Sequence, residues 1–199
     1  MNLKQVLAEE IALGIINTGV EGPFDAVAKS TAYDYPSIGV SQWEGARADE
    51  LLSNIDGGAK FMYRDYEDIV YSGELDELKS LLGSINGKQA QVDLLARDCL
   101  VYVDVLQTVP EFDDTKCLIY AGIWCPTNHN LVARFLTHRA YSYDLRDLYT
   151  LYNVFREQYW IAAGVGERYQ LGYSNRAINT YEYVNELDLA TVWPKITEH

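Results

Sequence analysis

The chain has 199 residues, 48% of them hydrophobic, and a formal net charge of −13 at pH 7. This length is enough for one well-buried core, or for one core plus a small lobe, and the composition predicts a folded protein rather than a disordered one. The charge argues against a nucleic-acid-binding protein. Contact with phosphates needs a basic surface, and here 29 acidic residues outnumber 16 scattered lysines and arginines.

Neither membrane insertion nor a signal peptide is expected from the sequence. Apolar runs stay well short of the ~20 residues needed to cross a bilayer. The N-terminal segment carries Glu9 and Glu10 inside its apolar pattern and has neither a basic leader nor a small-residue cleavage site. The chain is therefore expected to be made in the cytoplasm.

The three cysteines are Cys99, Cys117 and Cys125, an odd number without repeated close spacing. This pattern favours buried, reduced thiols over a disulfide framework. No CxxC or HxxxH pair accompanies them, so a zinc site is not expected either.

Hydrophobic spacing predicts a first helix over 3–18. Gly19 can take the left-handed conformation that ends a helix, so Glu21 is expected just past the helix end. From 22 to 42 the helical period is lost and turn-forming glycines and prolines appear. This segment is expected to be irregular, with a short strand or extended edge near Gly39.

The rest of the chain returns to helical periodicity. Helices are expected at about 44–52, 59–72, 74–82, 88–107, 144–160 and 175–187. The apolar run 115–125 fits either a buried helix or a buried strand, and Asn128 or Asn130 is suited to cap a helix beginning at Leu131. The expected fold class is mainly α: one domain over 1–199 with a short irregular or small β segment at about 22–42.

Glu21 is the candidate for acid–base chemistry. Cleavage of a glycosidic bond needs a proton donor at the leaving oxygen, and usually a second carboxylate as base or nucleophile. A glutamate can donate that proton at neutral pH when a partly apolar pocket raises its pKa. Val20, Pro23 and Phe24 give Glu21 apolar neighbours in sequence. Alone this is weak, since most glutamates beside a helix end are simply solvated.

The combination of a helix, Glu21-Gly22, a loop and the block SIGVSQW at 37–43 resembles the lysozyme-like superfamily. In the phage-type branch the catalytic Glu-Gly closes the first helix, and a Ser-Ile-Gly or Thr-Ile-Gly block lies across the cleft. Wall-lysing domains of phages and Gram-positive bacteria carry Glu-Gly-x-Tyr, then Ser-Ile-Gly-x-x-Gln-Trp-His-Gly, then Arg-Ala. The likeness covers residues 21–48, and Arg47-Ala48 matches the last element.

The chain departs from this pattern in three places, the first being Phe24 at the tyrosine position. The histidine expected after the tryptophan is Glu44, and Ser30-Thr31 stands where such domains often have an Asn-Asp pair. Asp34 and Asp25 are the available second carboxylates, and neither falls on the family position. Asp34 is the candidate that would make a two-carboxylate hydrolase if it lay across the cleft from Glu21.

The resemblance implies a peptidoglycan-cleaving glycosidase of the muramidase type, with Glu21 as general acid on the glycan between N-acetylmuramic acid and N-acetylglucosamine. No metal or organic cofactor is needed. An endolysin or virion-associated lysin is implied, which would act at the bacterial cell wall after release or as part of a virion. Because an acidic enzyme gains no attraction to anionic walls, a separate wall-binding or phage structural partner is one way to compensate.

The resemblance also suggests substrate-binding residues, each with a structural alternative. Ser37 and Gln42 would bond N-acetyl groups, or else be a turn cap and a solvated amide. Trp43 would stack on a sugar ring, or else belong to the core. Tyr120, in a run similar to the Tyr-x-Ala-Gly element of transglycosylases, would contact the glycan or else be packed in an apolar helix.

Four alternatives stay open. A lytic transglycosylase would use the substrate's own 6-hydroxyl, and a substrate-assisted enzyme its N-acetyl group, in place of a second carboxylate. A non-catalytic protein could bind glycan or protein on the same scaffold. An acidic helical adaptor could resemble lysozymes by chance, in which case Glu21 is expected to point into bulk solvent.

Overall fold

The computed structural model describes residues 2–192 and is mainly α, with a two-stranded antiparallel sheet. This confirms the expected fold class, and the sheet lies inside the segment 22–42 where the helical period is lost. The chain forms two compact units. One holds the N-terminal helix and the chain from Ala96 onward, and the other is Glu21–Leu95. The single domain over 1–199 stays a prediction.

The first unit is built from helices. They are α1 (Leu3–Asn17), the second half of α5 (Ile85–Leu106), α6 (Thr115–Ile123), α7 (Cys125–Arg139), α8 (Leu148–Val154), α9 (Trp160–Ala162), α10 (Gln170–Glu186) and α11 (Leu189–Val192). A π-helical turn (Phe155–Tyr159) joins α8 to α9, and a 3₁₀ turn (Glu167–Tyr169) precedes α10. The apolar run 115–125 is therefore helical.

Helix α6 is the centre of this unit and is buried from Cys117 to Ile123. It packs closely on α1 at two glycines. A Cβ atom at Gly14 would overlap Ile123, and a Cβ atom at Gly122 would overlap Ile11. Asn128 kinks α7 with a non-helical backbone and caps the part of the helix that follows the kink, as expected: its Oδ1 accepts the backbone N–H of Leu131 at 2.9 Å.

The three cysteines all belong to this unit, and all are buried and free. Burial raises the pKa of each thiol. The expected burial of the three cysteines is confirmed.

The second unit begins with the sheet. Its elements are β1 (Val27–Lys29), β2 (Pro36–Ile38), α2 (Gly45–Ser53), a 3₁₀ turn (Gly58–Phe61), α3 (Tyr66–Tyr71), α4 (Leu75–Gly83) and the first half of α5. The predicted helix over 59–72 was wrong in one respect. It is interrupted after the 3₁₀ turn, where Tyr63 takes a left-handed backbone with φ of 59°.

Within the described residues, no helix is both long and apolar enough to cross a membrane.

Candidate functional site

Helix α1 ends in a Schellman motif two residues before Glu21. Gly19 takes φ of 66° and donates its N–H to the carbonyl of Ile16 at 3.2 Å. Val20 donates to the carbonyl of Ile15 at 3.3 Å. This pair of bonds, with glycine in the left-handed position, fixes the direction in which the chain leaves a helix. The predicted stop at Gly19 is confirmed.

The two halves of the lysozyme-like pattern adjoin in the fold. Gly22 donates its N–H to the carbonyl of Val40 at 3.0 Å, and Gly39 donates to the carbonyl of Ala26 at 2.8 Å. The Gly39–Ala26 bond continues the β1–β2 pairing, in which Val27 faces Ile38, and the Gly22–Val40 bond lies just beyond it. The backbone that follows Glu21 is thus held against the Ser-Ile-Gly block.

That block is a tight hairpin. Ile38 and Trp43 exchange two backbone hydrogen bonds of 3.0 and 2.9 Å, and the turn between them has positive φ at Gly39 and Gln42. The hydroxyl of Ser37 donates to the carbonyl of Gln42 at 3.1 Å. The side-chain amide of Gln42 donates to the carbonyl of Gly39 at 2.9 Å. These two polar side chains therefore hold the turn itself.

The positions of the predicted substrate-binding residues favour the structural alternatives. Ser37 and Trp43 are each only 6% exposed, which fits a turn cap and a core residue. Gln42 is half-buried, and its amide nitrogen bonds the turn rather than lying free in solvent. Tyr120 is 0% exposed and donates its hydroxyl to the carbonyl of Ala177 at 3.4 Å, so it has no surface to offer a glycan.

Gln91 on α5 is a residue of this site that the sequence did not reveal. Its side chain is 0% exposed. Its Oε1 accepts the backbone N–H of Val40 at 3.0 Å, while its Nε2 donates to the carbonyls of Leu82 and Gly87 at 3.0 and 3.2 Å. A fully buried amide with its partners satisfied ties the turn to the end of α4 and the start of α5.

The structure does not bring Asp34 to the Glu21 end of the sheet. Asp34 is exposed and lies in the loop that joins Lys29 to Pro36, the last pair at one end of the ladder. The Gly22–Val40 bond lies past the opposite end of the ladder. Each pair adds about 3.3 Å along a strand, so the ladder separates the two ends. The role of Asp34 as second carboxylate stays a prediction, with this position against it.

The position of the family's Asn-Asp pair is taken by a turn. Ser30 is buried, and its hydroxyl oxygen accepts the N–H groups of Ala32 and Tyr33, both at 3.2 Å. The other candidate carboxylate, Asp25, is exposed on a turn in which Ala26 donates to the carbonyl of Pro23 at 3.1 Å.

Glu21 itself is half-buried. The adaptor hypothesis expects this residue in bulk solvent and no cleft around it, and it stays an open alternative. Within residues 2–192, no group of three or more histidine, cysteine or acidic side chains is arranged to hold a metal ion.

Comparison with known proteins gives no relative: no family model, curated protein or solved structure matches the chain. The likeness to the lysozyme-like superfamily therefore rests on the residues of the motif and stays a prediction.

Proposed function

We propose that this protein is a peptidoglycan-cleaving glycosidase in which Glu21 delivers a proton to the leaving glycosidic oxygen. The observation that carries the proposal is the hydrogen bond of 3.0 Å from Gly22 to Val40. It joins the Glu-Gly pair to the Ser-Ile-Gly block, two parts of one motif that are separated by a loop in the sequence. The local β1–β2 hairpin brings the two parts of the motif side by side, as the proposal requires.

A general acid must be held in one place relative to the bond that it protonates. Within its own unit, the backbone after Glu21 supports this role, because the bond from Gly22 to Val40 anchors it. Val40 is anchored in turn by the buried amide of Gln91.

The positions of Ser30 and Asp34 favour lytic transglycosylase chemistry as the second candidate. With Ser30-Thr31 in place of the family's Asn-Asp pair and Asp34 beyond the far end of the ladder, Glu21 would serve alone. As acid it would protonate the leaving oxygen while the C1–O bond breaks. As carboxylate it would then take the proton of the sugar's 6-hydroxyl, whose oxygen attacks C1 to close a 1,6-anhydro ring. No water is consumed.

The test measures new sugar ends released from purified peptidoglycan by the wild type and by Glu21→Gln, with mass spectra of the products. Loss of a general acid should lower the rate about a hundredfold or more. Hydrated ends indicate a hydrolase, and anhydro ends a transglycosylase. Asp34→Asn is the matched control, because it removes a carboxylate from the far end of the ladder and is expected to leave the rate nearly unchanged.

A different result would support a different function. If the wild type and Glu21→Gln are equally inactive on several wall types, the proposal fails and a non-catalytic glycan- or protein-binding role takes its place. If Asp34→Asn is as damaging as Glu21→Gln, a two-carboxylate hydrolase is the better mechanism.

The proposal includes action at the bacterial cell wall, as an endolysin or a virion-associated lysin. The net charge of −13 opposes adsorption to anionic wall polymers. A separate wall-binding or phage structural partner would supply the missing attraction.

A further inference from the structure

The second unit has a small pocket between the end of the β1–β2 loop, helix α2 and the segment before α3. Its volume is about 240 Å³. Its walls are aromatic and aliphatic: Tyr35, Pro36, Leu52, Phe61 and Tyr63. Pockets for drug-sized ligands are about 300 to 1,000 Å³, so this one suits a ligand of about one ring.

Tyr63 stands at this pocket in a strained conformation. Its φ of 59° is rare for a bulky residue, and its side chain is 85% exposed. The carboxylate of Asp49 fixes the backbone there, accepting the N–H of Tyr63 at 2.9 Å. Folding alone would favour glycine or asparagine at such a position. Strained backbone of this kind is concentrated at functional sites. At Tyr63 it keeps an aromatic ring exposed to solvent.

Tyr35 provides a second, pre-oriented ring. It stacks on Tyr33 with centroids 4.9 Å apart and an interplanar angle of 19°. The hydroxyl end of the Tyr35 ring also packs against Gly45, since it lies 3.4 Å from the position that a Cβ atom on Gly45 would take. Tyr35 and Asp65 also line an adjoining polar depression of about 500 Å³, which offers room for a ligand longer than one ring.

The charges at the pocket select the ligand class. Asp49 and Asp65 line it, and both would repel an anion such as a phosphate. Arg64 lines it too, with its guanidinium 6.0 Å from the centroid of the Phe61 ring and its charge paired with Glu74 at 2.7 Å. A neutral ligand with one apolar face and several hydroxyls fits aromatic walls that carry carboxylate acceptors, and a pyranose ring has this character.

We propose that this pocket is a sugar-binding subsite, in which Tyr63 stacks on the apolar face of a pyranose and Asp49 or Asp65 accepts a sugar hydroxyl. Aromatic rings with a polar group at one end suit such ligands, and an ionised carboxylate is a strong acceptor. This inference goes beyond the proposed function, because binding at this pocket needs no cleavage. The subsite would hold a glycan strand to the protein.

The test is titration calorimetry of chitotetraose into full-length protein carrying Glu21→Gln, supported by saturation-transfer NMR on the sugar protons. The Glu21→Gln background separates the two proposals, since binding is measured whether or not the wild type cleaves walls. Tyr63→Gly removes the ring and relieves the backbone strain, so the variant is expected to fold. Affinity should fall about fivefold or more, as loss of one stacked ring implies.

Two further variants make the outcome specific. Tyr63→Phe keeps the ring and should retain most of the affinity. Tyr71→Ala removes an equally exposed tyrosine (85%) that does not line the pocket, and should change nothing. The inference is overturned if Tyr63→Gly binds as well as its parent, or if the parent shows neither heat nor saturation transfer at millimolar chitotetraose.

Discussion

Gln91 and Val40 are joined by a hydrogen bond of 3.0 Å between two fully buried groups, the side-chain carbonyl of one and the backbone N–H of the other. The carbonyl of Val40 accepts the N–H of Gly22, the residue after the proposed acid. One buried amide on α5 is therefore two hydrogen bonds away from the backbone of the candidate catalytic segment.

Replacing Gln91 with leucine should destabilise the protein by roughly 1–3 kcal/mol, because the buried N–H of Val40 loses its partner. Urea unfolding of the wild type and the variant measures the difference. Gln89→Leu is the matched control on the same helix, since Gln89 is exposed and bonds only Asp93 at the surface. It should stay within about 0.5 kcal/mol of the wild type. Equal losses in the two variants would mean that the Val40 bond contributes nothing specific.

Gly39→Ala should be more damaging than Gly73→Ala. Both glycines have a left-handed backbone, with φ of 71° and 74°, so each alanine costs about 1–2 kcal/mol in strain. Gly73 has open space around it, whereas a side chain on Gly39 would overlap the carboxamide of Gln91. The expected excess at Gly39 is about 1–3 kcal/mol, from displacing that buried amide.

The same urea series includes the double variant Gly39→Ala with Gln91→Ala. Removing the amide makes room for the new methyl group. The loss of unfolding free energy in the double variant should therefore be smaller than the sum of the losses in Gly39→Ala and Gln91→Ala measured singly. Strict additivity would show that the overlap with Gln91 is not what makes Gly39 necessary.

The helices were predictable because their apolar residues repeat at helical spacing, and the stop at Gly19 because glycine suits the left-handed cap. The interruption at Tyr63 was not predictable. The N–H that a continuous helix would have used is taken by Asp49 on α2, a partner fixed by the tertiary fold. Local propensity carries no information about such a partner.

The candidate site was only partly predictable for the same reason. The motif pointed to Glu21 and the Ser-Ile-Gly block, which the fold does bring together. Sequence spacing could not give the strand register, and it is the register that leaves Asp34 at the far end of the ladder. Gln91 lies 51 positions from Val40, and nothing in its neighbourhood in sequence distinguishes it from a solvated glutamine.

The last prediction concerns Glu74, whose carboxylate holds Arg64 at the rim of the proposed sugar pocket. Ser72 donates to Glu74 at 2.6 Å, Arg64 at 2.7 Å, and Lys60 lies 3.3 Å away. These groups, led by the bond from Ser72, lower the pKa of Glu74 to about 2 from an ordinary value of 4.5. A carboxylate with a lowered pKa stabilises the folded state above its unfolded pKa, and that stabilisation is lost as pH falls toward the folded pKa.

The gap in unfolding free energy between the wild type and Glu74→Gln should therefore be constant above pH 4.5 and shrink as pH falls from 4.5 to about 2. Urea unfolding at several pH values in low salt measures it. Glu182→Gln is the control, because it removes the same charge from an exposed position on α10. A gap that stays flat down to pH 2 would contradict the ion-pair assignment.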